Sequence, residues 1–351
     1  MAVFANPAFK SHEAVFFAHA ADSGLRAIIA IHSTALGPAL GGCRMWDYES
    51  EQAALTDVLR LSRGMSYKNA LAGLPLGGGK AVILGDARRD KWPAMLDAYG
   101  QFVESLGGRY VTAQDVGLTE PDMICIARHT RHVGGGAAGG NPAPKTAHGV
   151  FRGITVAVRH ALERDSLDGL MVAVQGLGSV GLHLCRELHA AGAQLVVADL
   201  NPVRVEQARD ELGAQAASIE DILLTPADVL APCALGGVLN ATSIAQLNVK
   251  VVAGAANNQL ATDADGERLQ RRGILYAPDY VINAGGVISV GADYLATLSE
   301  EEVWRKIERI GDTLEQVFAE AERSGEASNR VADRLAEARL ASGKMLTRQV
   351  A

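Results

Sequence analysis

Leu170-Met171-Val172-Ala173-Val174-Gln175-Gly176-Leu177-Gly178-Ser179-Val180-Gly181 is the stretch on which the fold turns. Residues 170–175 have the length and apolar composition of a buried strand. A Gly-x-Gly-x-x-Gly series follows and opens a helix over 182–191. Residues 193–198 then read as a second strand, closed by Asp199. A lone glycine series of this kind is weak. Here a strand precedes it, a helix follows it, and an acid stands about twenty residues on, as a dinucleotide fingerprint requires. Glycine permits the tight turn and the close approach of a pyrophosphate, whose charge a helix N-terminus favours. The candidate nucleotide residues are Gly176, Leu177, Gly178, Ser179, Val180, Gly181 and Asp199. Asp199 would accept from the adenosine ribose hydroxyls and repel a 2′-phosphate, which favours NAD over NADP. Short apolar runs at 228–230, 250–253 and 274–276 continue a parallel sheet.

Upstream the texture changes. The glycine-rich residues 134–140, followed by Asn141-Pro142-Ala143-Pro144, read as a domain boundary. Ahead of it, residues 14–19 and 25–32 read as a strand hairpin, and residues 37–42 as a loop where backbone could meet a ligand. Residues 50–65 show helical spacing, in a helix that ends at Gly64 or runs slightly on and delivers Lys68. Then comes Gly73-Leu74-Pro75-Leu76-Gly77-Gly78-Gly79-Lys80, at the mouth of an apolar strand, residues 81–84. A phosphate loop of the G-x-x-x-x-G-K-[ST] type is excluded, because Leu74 and Ala81 stand where glycine and Ser or Thr are needed. Lys80, beside a second lysine and partly buried, is expected to have a pKa lowered toward general-base use. A helix is expected over 91–106 and a strand over 110–113, which puts Asp115 at a strand's carboxyl end. Thr119 reads as a helix cap.

Composition bounds the rest. The chain has 351 residues, 48% hydrophobic and 21% charged, which suits two ordinary domains. A formal charge of −7 without a basic run argues against nucleic acid. No signal peptide and no membrane-span-length apolar run is read, so a cytoplasmic protein is expected. Cys43, Cys125, Cys185 and Cys233 form no C-x-x-C pair and read as reduced thiols. No histidine pattern suggests a metal. Ser299 to Glu302 reads as a capping box. It opens a helix whose apolar stripe is Val303, Ile307, Ile310, Leu314 and Val317, and a second amphipathic helix follows Gly325.

The motifs Gly37-Pro38-Ala39-Leu40-Gly41-Gly42, Gly64-Met65-Ser66-Tyr67-Lys68, Leu76-Gly77-Gly78-Gly79-Lys80, Asp115-Val116-Gly117, Gly140-Asn141-Pro142-Ala143-Pro144, Ala255-Ala256-Asn257-Asn258-Gln259 and Asn283-Ala284-Gly285-Gly286-Val287, in this order, resemble the glutamate/leucine/phenylalanine/valine dehydrogenase family, most of all its leucine branch. The resemblance implies an α/β fold of two domains with a cleft between them. Residues 1–134 would form the substrate domain, with the helix 328–351 packing back on it. Residues 135–327 would form a Rossmann-type NAD-binding domain. It further implies that Lys68 binds the substrate carboxylate, that Lys80 activates water as catalytic base, and that Asp115 handles the amino group's proton. Gly41 and Gly42 would approach the substrate by backbone. Thr146, Asn257 and Asn258 would sit near the nicotinamide and ribose. Leu40, Met65, Ala113, Val287 and Val290 would wall the side-chain pocket. The reaction implied is NAD-dependent reversible oxidative deamination of a hydrophobic L-amino acid by a homo-oligomer. Leucine, valine or isoleucine is favoured. An aromatic amino acid dehydrogenase, or a non-catalytic NAD-binding relative, is the alternative. Ser289 departs from the asparagine that leucine enzymes often carry.

Overall fold

The structure, a computed structural model, describes residues 3–135 and 141–350, the last of these by backbone alone from residue 344. It forms two compact units. One takes Met1–Gly140, Val287–Ser299 and Ala336–Ala351; the other takes Asn141–Gly286 and Glu300–Leu335. Beside the expected 1–134 with helix 328–351 and 135–327, this division places Val287–Ser299 with the first unit and only Ala336–Ala351 of the final helix there. The cause is local packing. A Cβ on Gly291 would sit 2.9 Å from Leu76 Cδ1 and 3.5 Å from Leu74 Cδ1, so this segment lies directly on the first unit's apolar side chains. Residues 136–140, most of the glycine-rich stretch, lie outside the described residues.

In the first unit, β1 (Ala14–Ala20) and β2 (Leu25–Ser33) form the expected antiparallel hairpin. Then come β3 (Ala39–Trp46), α1 (Glu51–Leu71), β4 (Gly77–Leu84), α2 (Pro93–Ser105), β5 (Tyr110–Gln114) and α3 (Glu120–Ala127). The five strands run in the order β1-β2-β4-β3-β5, with β3 parallel to both β4 and β5. Strand alternation splits the core into two layers. Ile29, Ile31, Met45 and Ile83 face Leu96, Tyr99 and Ile126 of α2 and α3. Ile28, Ala30 and Val82 face Ala54, Leu55, Val58 and Leu59 of α1. Ser50 caps α1, its side chain accepting the Ala53 N–H at 3.1 Å.

Two expectations are corrected here, and the open end of the first helix is settled. Residues 39–42 are strand, not loop, and Leu40 and Gly41 pair with β5. The helix runs through Gly64 to Leu71, because its buried face continues through Ser66, Tyr67 and Ala70. Gly77, Gly78 and Gly79 lie inside β4, so Lys80 is mid-strand. These three glycines do not have positive φ. They are small because the fold is tight. A Cβ on Gly78 would strike the Ser66 backbone of α1, and one on Gly79 would sit 2.8 Å from the Tyr110 ring.

The second unit begins with α4 (Ala143–Leu162), β6 (Met171–Gln175), α5 (Ser179–Ala190), β7 (Gln194–Ala198), α6 (Pro202–Leu212) and β8 (Gln215–Ala216). It continues with β9 (Val229–Pro232), α7 (Ala241–Gln246), β10 (Val251–Val252), α8 (Ala264–Arg271), β11 (Leu275–Tyr276) and α9 (Asp279–Ile282). Of the remaining helices, α11 (Glu300–Glu308) and α12 (Ile310–Ser324) belong to this unit, α10 (Gly285–Leu295) falls almost wholly in the first, and α13 (Ser328–Val350) is divided between them. The six strands are all parallel, in the order β11-β10-β9-β6-β7-β8. Numbered from β6, this is the doubly wound 3-2-1-4-5-6 order, whose switch point falls between β6 and β9. The stripe from Val303 to Val317 is buried as expected, but it spans two helices that break at Arg309. Among the described residues, no helix is long and apolar enough to cross a membrane.

One contact in this unit has a pH dependence. His148 on α4 lies 2.7 Å from Glu187 on α5 through Nδ1 and 2.6 Å from Glu308 on α11 through Nε2. Arg152 also holds Glu308, at 2.9 Å. The bond to Glu187 raises the His148 pKa most; burial opposes the rise and Glu308 adds to it. A raised folded value means the stabilisation is complete below about pH 6.5, the unfolded value, and fades as pH climbs through the folded value. His148→Gln is therefore expected to lower the melting temperature at about pH 6 and much less at about pH 9. A deficit independent of pH in thermal melts would contradict this.

Candidate active site

Lys80 and Asp115 are thirty-five positions apart in sequence, and their strands are not neighbours, because β3 runs between β4 and β5. They nevertheless meet, with Lys80 Nζ 2.5 Å from Asp115 Oδ2. Gly42 on the intervening β3 makes the room: a Cβ there would stand 2.8 Å from the Asp115 Cβ. Gly41 is equally confined, since a Cβ would strike the Gly79 carbonyl and sit 3.2 Å from Met65 Cγ. The Tyr110 hydroxyl donates to the Gly41 carbonyl at 2.6 Å. Asn69, near the C-terminal end of α1, donates to the Gly77 carbonyl at 2.5 Å and ties that helix to the glycine strand.

Both charges are largely withdrawn from solvent, with Lys80 8% and Asp115 18% exposed in the side chain. Burial alone would raise the Asp115 pKa. The Lys80 cation and the Arg44 guanidinium outweigh it and hold the carboxyl down to about 2. Asp115 is therefore ionised at any ordinary pH. Its charge is a fixed anion that accepts hydrogen bonds. The partner that the fold gives Lys80 is thus an opposite charge, which the sequence reading of two neighbouring lysines did not contain.

Sequence reasoning also missed Arg44. It lies on β3 with Nε 3.5 Å from Asp115 Oδ2 and Nη1 3.1 Å from Asp57 Oδ2 on α1. Tyr48 donates its hydroxyl to the same Asp57 oxygen at 2.6 Å. Arg44 thereby braces Asp115 beside Lys80. Its signal in sequence was only its place two residues beyond Gly42. Lys68 sits in the last turn of α1, half-buried. One residue before it, Tyr67 donates to Glu337 at 2.6 Å, and Arg339 donates to the Ala70 and Leu71 carbonyls at 3.0 and 2.9 Å. The final helix thus fastens the end of α1 that carries Lys68.

Of the expected apolar wall, Leu40 and Ala113 are buried, and Met65, Val287 and Val290 are half-buried. Leu40 and Val290 converge on Gly134, where a Cβ would sit 3.4 Å from Leu40 Cδ1 and 2.8 Å from Val290 Cγ1. Gly135 donates its N–H to Asp293 at 3.1 Å, which holds this turn. Leu74 and Leu76 add to the same apolar surface and were not singled out from the sequence.

The second unit carries the glycine turn. Gly176 has φ +101 and its N–H donates to the Ala198 carbonyl at 2.8 Å. A Cβ on Gly176 would crowd Ala234, and one on Gly181 would strike the Gly176 carbonyl, so the fold itself demands these two glycines. Gly178 is different. It precedes α5 with no side-chain cap, and a Cβ there would meet nothing within 4 Å. The start of α5 thus has no side-chain cap and open space at Gly178, which fits a pyrophosphate. Ser179 and Val180 form the first turn. Asp199, just past β7, accepts the Leu177 N–H at 2.6 Å and the Asn201 N–H at 2.8 Å, so it also staples the turn.

The other candidate nucleotide residues lie in this unit too. Thr146 donates to the Pro142 carbonyl at 3.0 Å in the first turn of α4. Asn257 Oδ1 accepts from Asn283 at 3.0 Å. Asn258 takes φ +55, uncommon for a residue with a side chain, and its N–H donates to Asp279 at 2.7 Å. Among the described residues, no group of three or more His, Cys, Asp or Glu side chains could hold a metal ion.

Comparison with known proteins adds to this geometry. Residues 12–132 match the family described as Glu/Leu/Phe/Val dehydrogenase, dimerisation domain. Residues 197–347 match the one described as Glutamate/Leucine/Phenylalanine/Valine dehydrogenase. The chain is 53% identical to the leucine dehydrogenase of Geobacillus stearothermophilus, over 94% of its own length and 90% of the relative's. It is 45% identical to the phenylalanine dehydrogenase of Bacillus thermotolerans, over 95% and 90% of the two lengths. The crystal structure of L-tryptophan dehydrogenase from Nostoc punctiforme superposes with a TM-score of 0.83 at 46% identity, covering 95% of this chain and 97% of that one.

Proposed function

The chain belongs to the glutamate/leucine/phenylalanine/valine dehydrogenase family, and from that premise we propose that it catalyses reversible, NAD-dependent oxidative deamination of a hydrophobic L-amino acid. Leucine, valine and isoleucine are the favoured substrates. The overall conversion is amino acid, NAD and water to 2-oxo acid, ammonium, NADH and a proton. The observation that carries the reading is the withdrawn Lys80–Asp115 pair beside an apolar wall. The nucleotide, when bound, supplies a hydride acceptor.

The first unit's residues supply the rest. Lys68 offers a fixed cation to the substrate carboxylate. Lys80, in its neutral amine form, takes the proton of the water that adds to the oxidised carbon and becomes the cation that pairs with Asp115. Asp115, ionised and held between Lys80 and Arg44, accepts a hydrogen bond from the substrate nitrogen and steers its proton. Leu40, Met65, Ala113, Val287 and Val290 receive an apolar side chain, and exclusion of water by them strengthens the charged contacts. NAD over NADP follows from the carboxylate of Asp199, which opposes a 2′-phosphate. Residues 12–132 match a family described as a dimerisation domain, which supports a homo-oligomer, and light scattering would measure its size. The composition supports a cytoplasmic setting.

The substrate is tested by kcat/KM across L-amino acids. Burying a leucine side chain is worth roughly 1.5–3 kcal/mol, enough to select it over alanine. β-branched Val287 and Val290 narrow the wall. The small side chain of Ala113 leaves room on it, which is the argument for a ring. L-Leucine is expected to exceed L-phenylalanine in kcat/KM. A ratio well below one would transfer the assignment to aromatic substrates with the same chemistry.

A further inference from the structure

Asp199 does not stand alone at the ribose end of the glycine turn. Both its oxygens already accept backbone N–H groups, from Leu177 at 2.6 Å and Asn201 at 2.8 Å. Arg204, from the first turn of α6, extends toward it, with Nη1 3.8 Å from Asp199 Oδ1. The Asp199 side chain is 10% exposed, but that of Arg204 is 48% exposed. Leu200 and Val203, on the same turn, are largely exposed, so no bulky apolar packing closes this surface. A half-exposed ion pair at this distance is weakly held, and its arginine is released at little cost. A guanidinium is also the side chain best shaped to bind a phosphate through two parallel hydrogen bonds.

We propose that Arg204 is a second determinant of nucleotide choice, opposed to Asp199: it offsets the carboxylate's repulsion and offers a 2′-phosphate its own cation. The proposal rests on the nucleotide-binding reading of this turn. Asp199 keeps NAD preferred, while Arg204 keeps NADP from being fully rejected. The selectivity is then a balance between two side chains five positions apart, and removing either should move it in opposite directions.

The test is direct binding, with the intact protein and the fluorescence of NADH and NADPH as readout. Competition by 2′,5′-ADP against 5′-ADP probes the same end without the nicotinamide. Asp199→Asn, which keeps the shape of the staple, is expected to raise NADPH affinity relative to NADH. Arg204→Ala in the native background is expected to weaken NADPH about ten- to a hundredfold, with NADH changed by less than about threefold. Asp199→Asn with Arg204→Ala should lose most of the gain that Asp199→Asn alone produces. Arg204→Lys should retain part of it, as a point charge does. If the double variant prefers NADPH as strongly as Asp199→Asn does, the role of Arg204 is refuted while the nucleotide site stands. If the native protein binds neither nucleotide, the nucleotide reading itself falls, and this inference with it.

Discussion

Replacing Lys80 by alanine is expected to lower kcat by about 10²- to 10⁴-fold, the usual cost of removing a general base, while NADH affinity is retained. The two effects separate because the residues proposed to bind the nucleotide, Gly176 to Gly181 and Asp199, belong to the other compact unit. Lys80→Ala also leaves the Asp115 carboxylate without the cation 2.5 Å away. Breaking a buried pair from one side is costly in general, about 3–5 kcal/mol when burial is complete. Here the cost is smaller, because Asp115 keeps some solvent contact and Arg44 remains at 3.5 Å. Lys80→Met, which fills the stem's volume, serves as the control for packing. The measurement is kcat at saturating substrate, alongside NADH titration and a thermal melt. A folded Lys80→Ala protein that turns over within about threefold of the native rate would remove Lys80 from the chemistry.

The second unit was legible because several local signals agree there. A buried strand, the glycine turn, a helix and Asp199 follow one another within thirty residues, and each constrains the next. The first unit was legible only in its elements. The glycines between Gly37 and Gly79 were read as ligand loops, yet Gly41, Gly42, Gly77, Gly78 and Gly79 are all in strands. A glycine required by a turn and a glycine required by a neighbour's backbone look the same in sequence. Only the three-dimensional neighbour separates them, as Ser66 does for Gly78 and Asp115 does for Gly42.

The same limit explains the charges. Lys68 and Lys80 are near each other in sequence, so a like-charge effect was the natural reading. Asp115 reaches Lys80 only because β3 passes between their strands with no side chain at Gly42. Arg44 and Asp57 come from a strand and a helix whose pairing no local spacing announces. Long-range pairing of this kind is fixed by sheet order, and sheet order was not read for this unit.

Asp115→Asn is expected to lower kcat by about 10²-fold or more with a smaller change in KM, because the amide keeps the shape but loses the charge that holds Lys80 and, in the proposed reaction, the substrate nitrogen. Protonation cannot mimic this substitution near neutrality, since Lys80 and Arg44 hold the carboxyl down to about 2. For the same reason, the stabilisation that Asp115 gains from its cations is present above about pH 3.9 and lost only as pH falls through about 2. The informative variant is the double one. If Lys80 and Asp115 work as a pair, losing one already disables the other. Lys80→Ala with Asp115→Asn should then be about as slow as the slower single variant, as is usual for residues that act as a unit. If each acted alone, the two losses would multiply, to about 10⁴-fold or beyond. The double-mutant cycle in kcat distinguishes these outcomes. Multiplying losses would mean that the 2.5 Å contact orders the fold but does not couple the two groups in turnover.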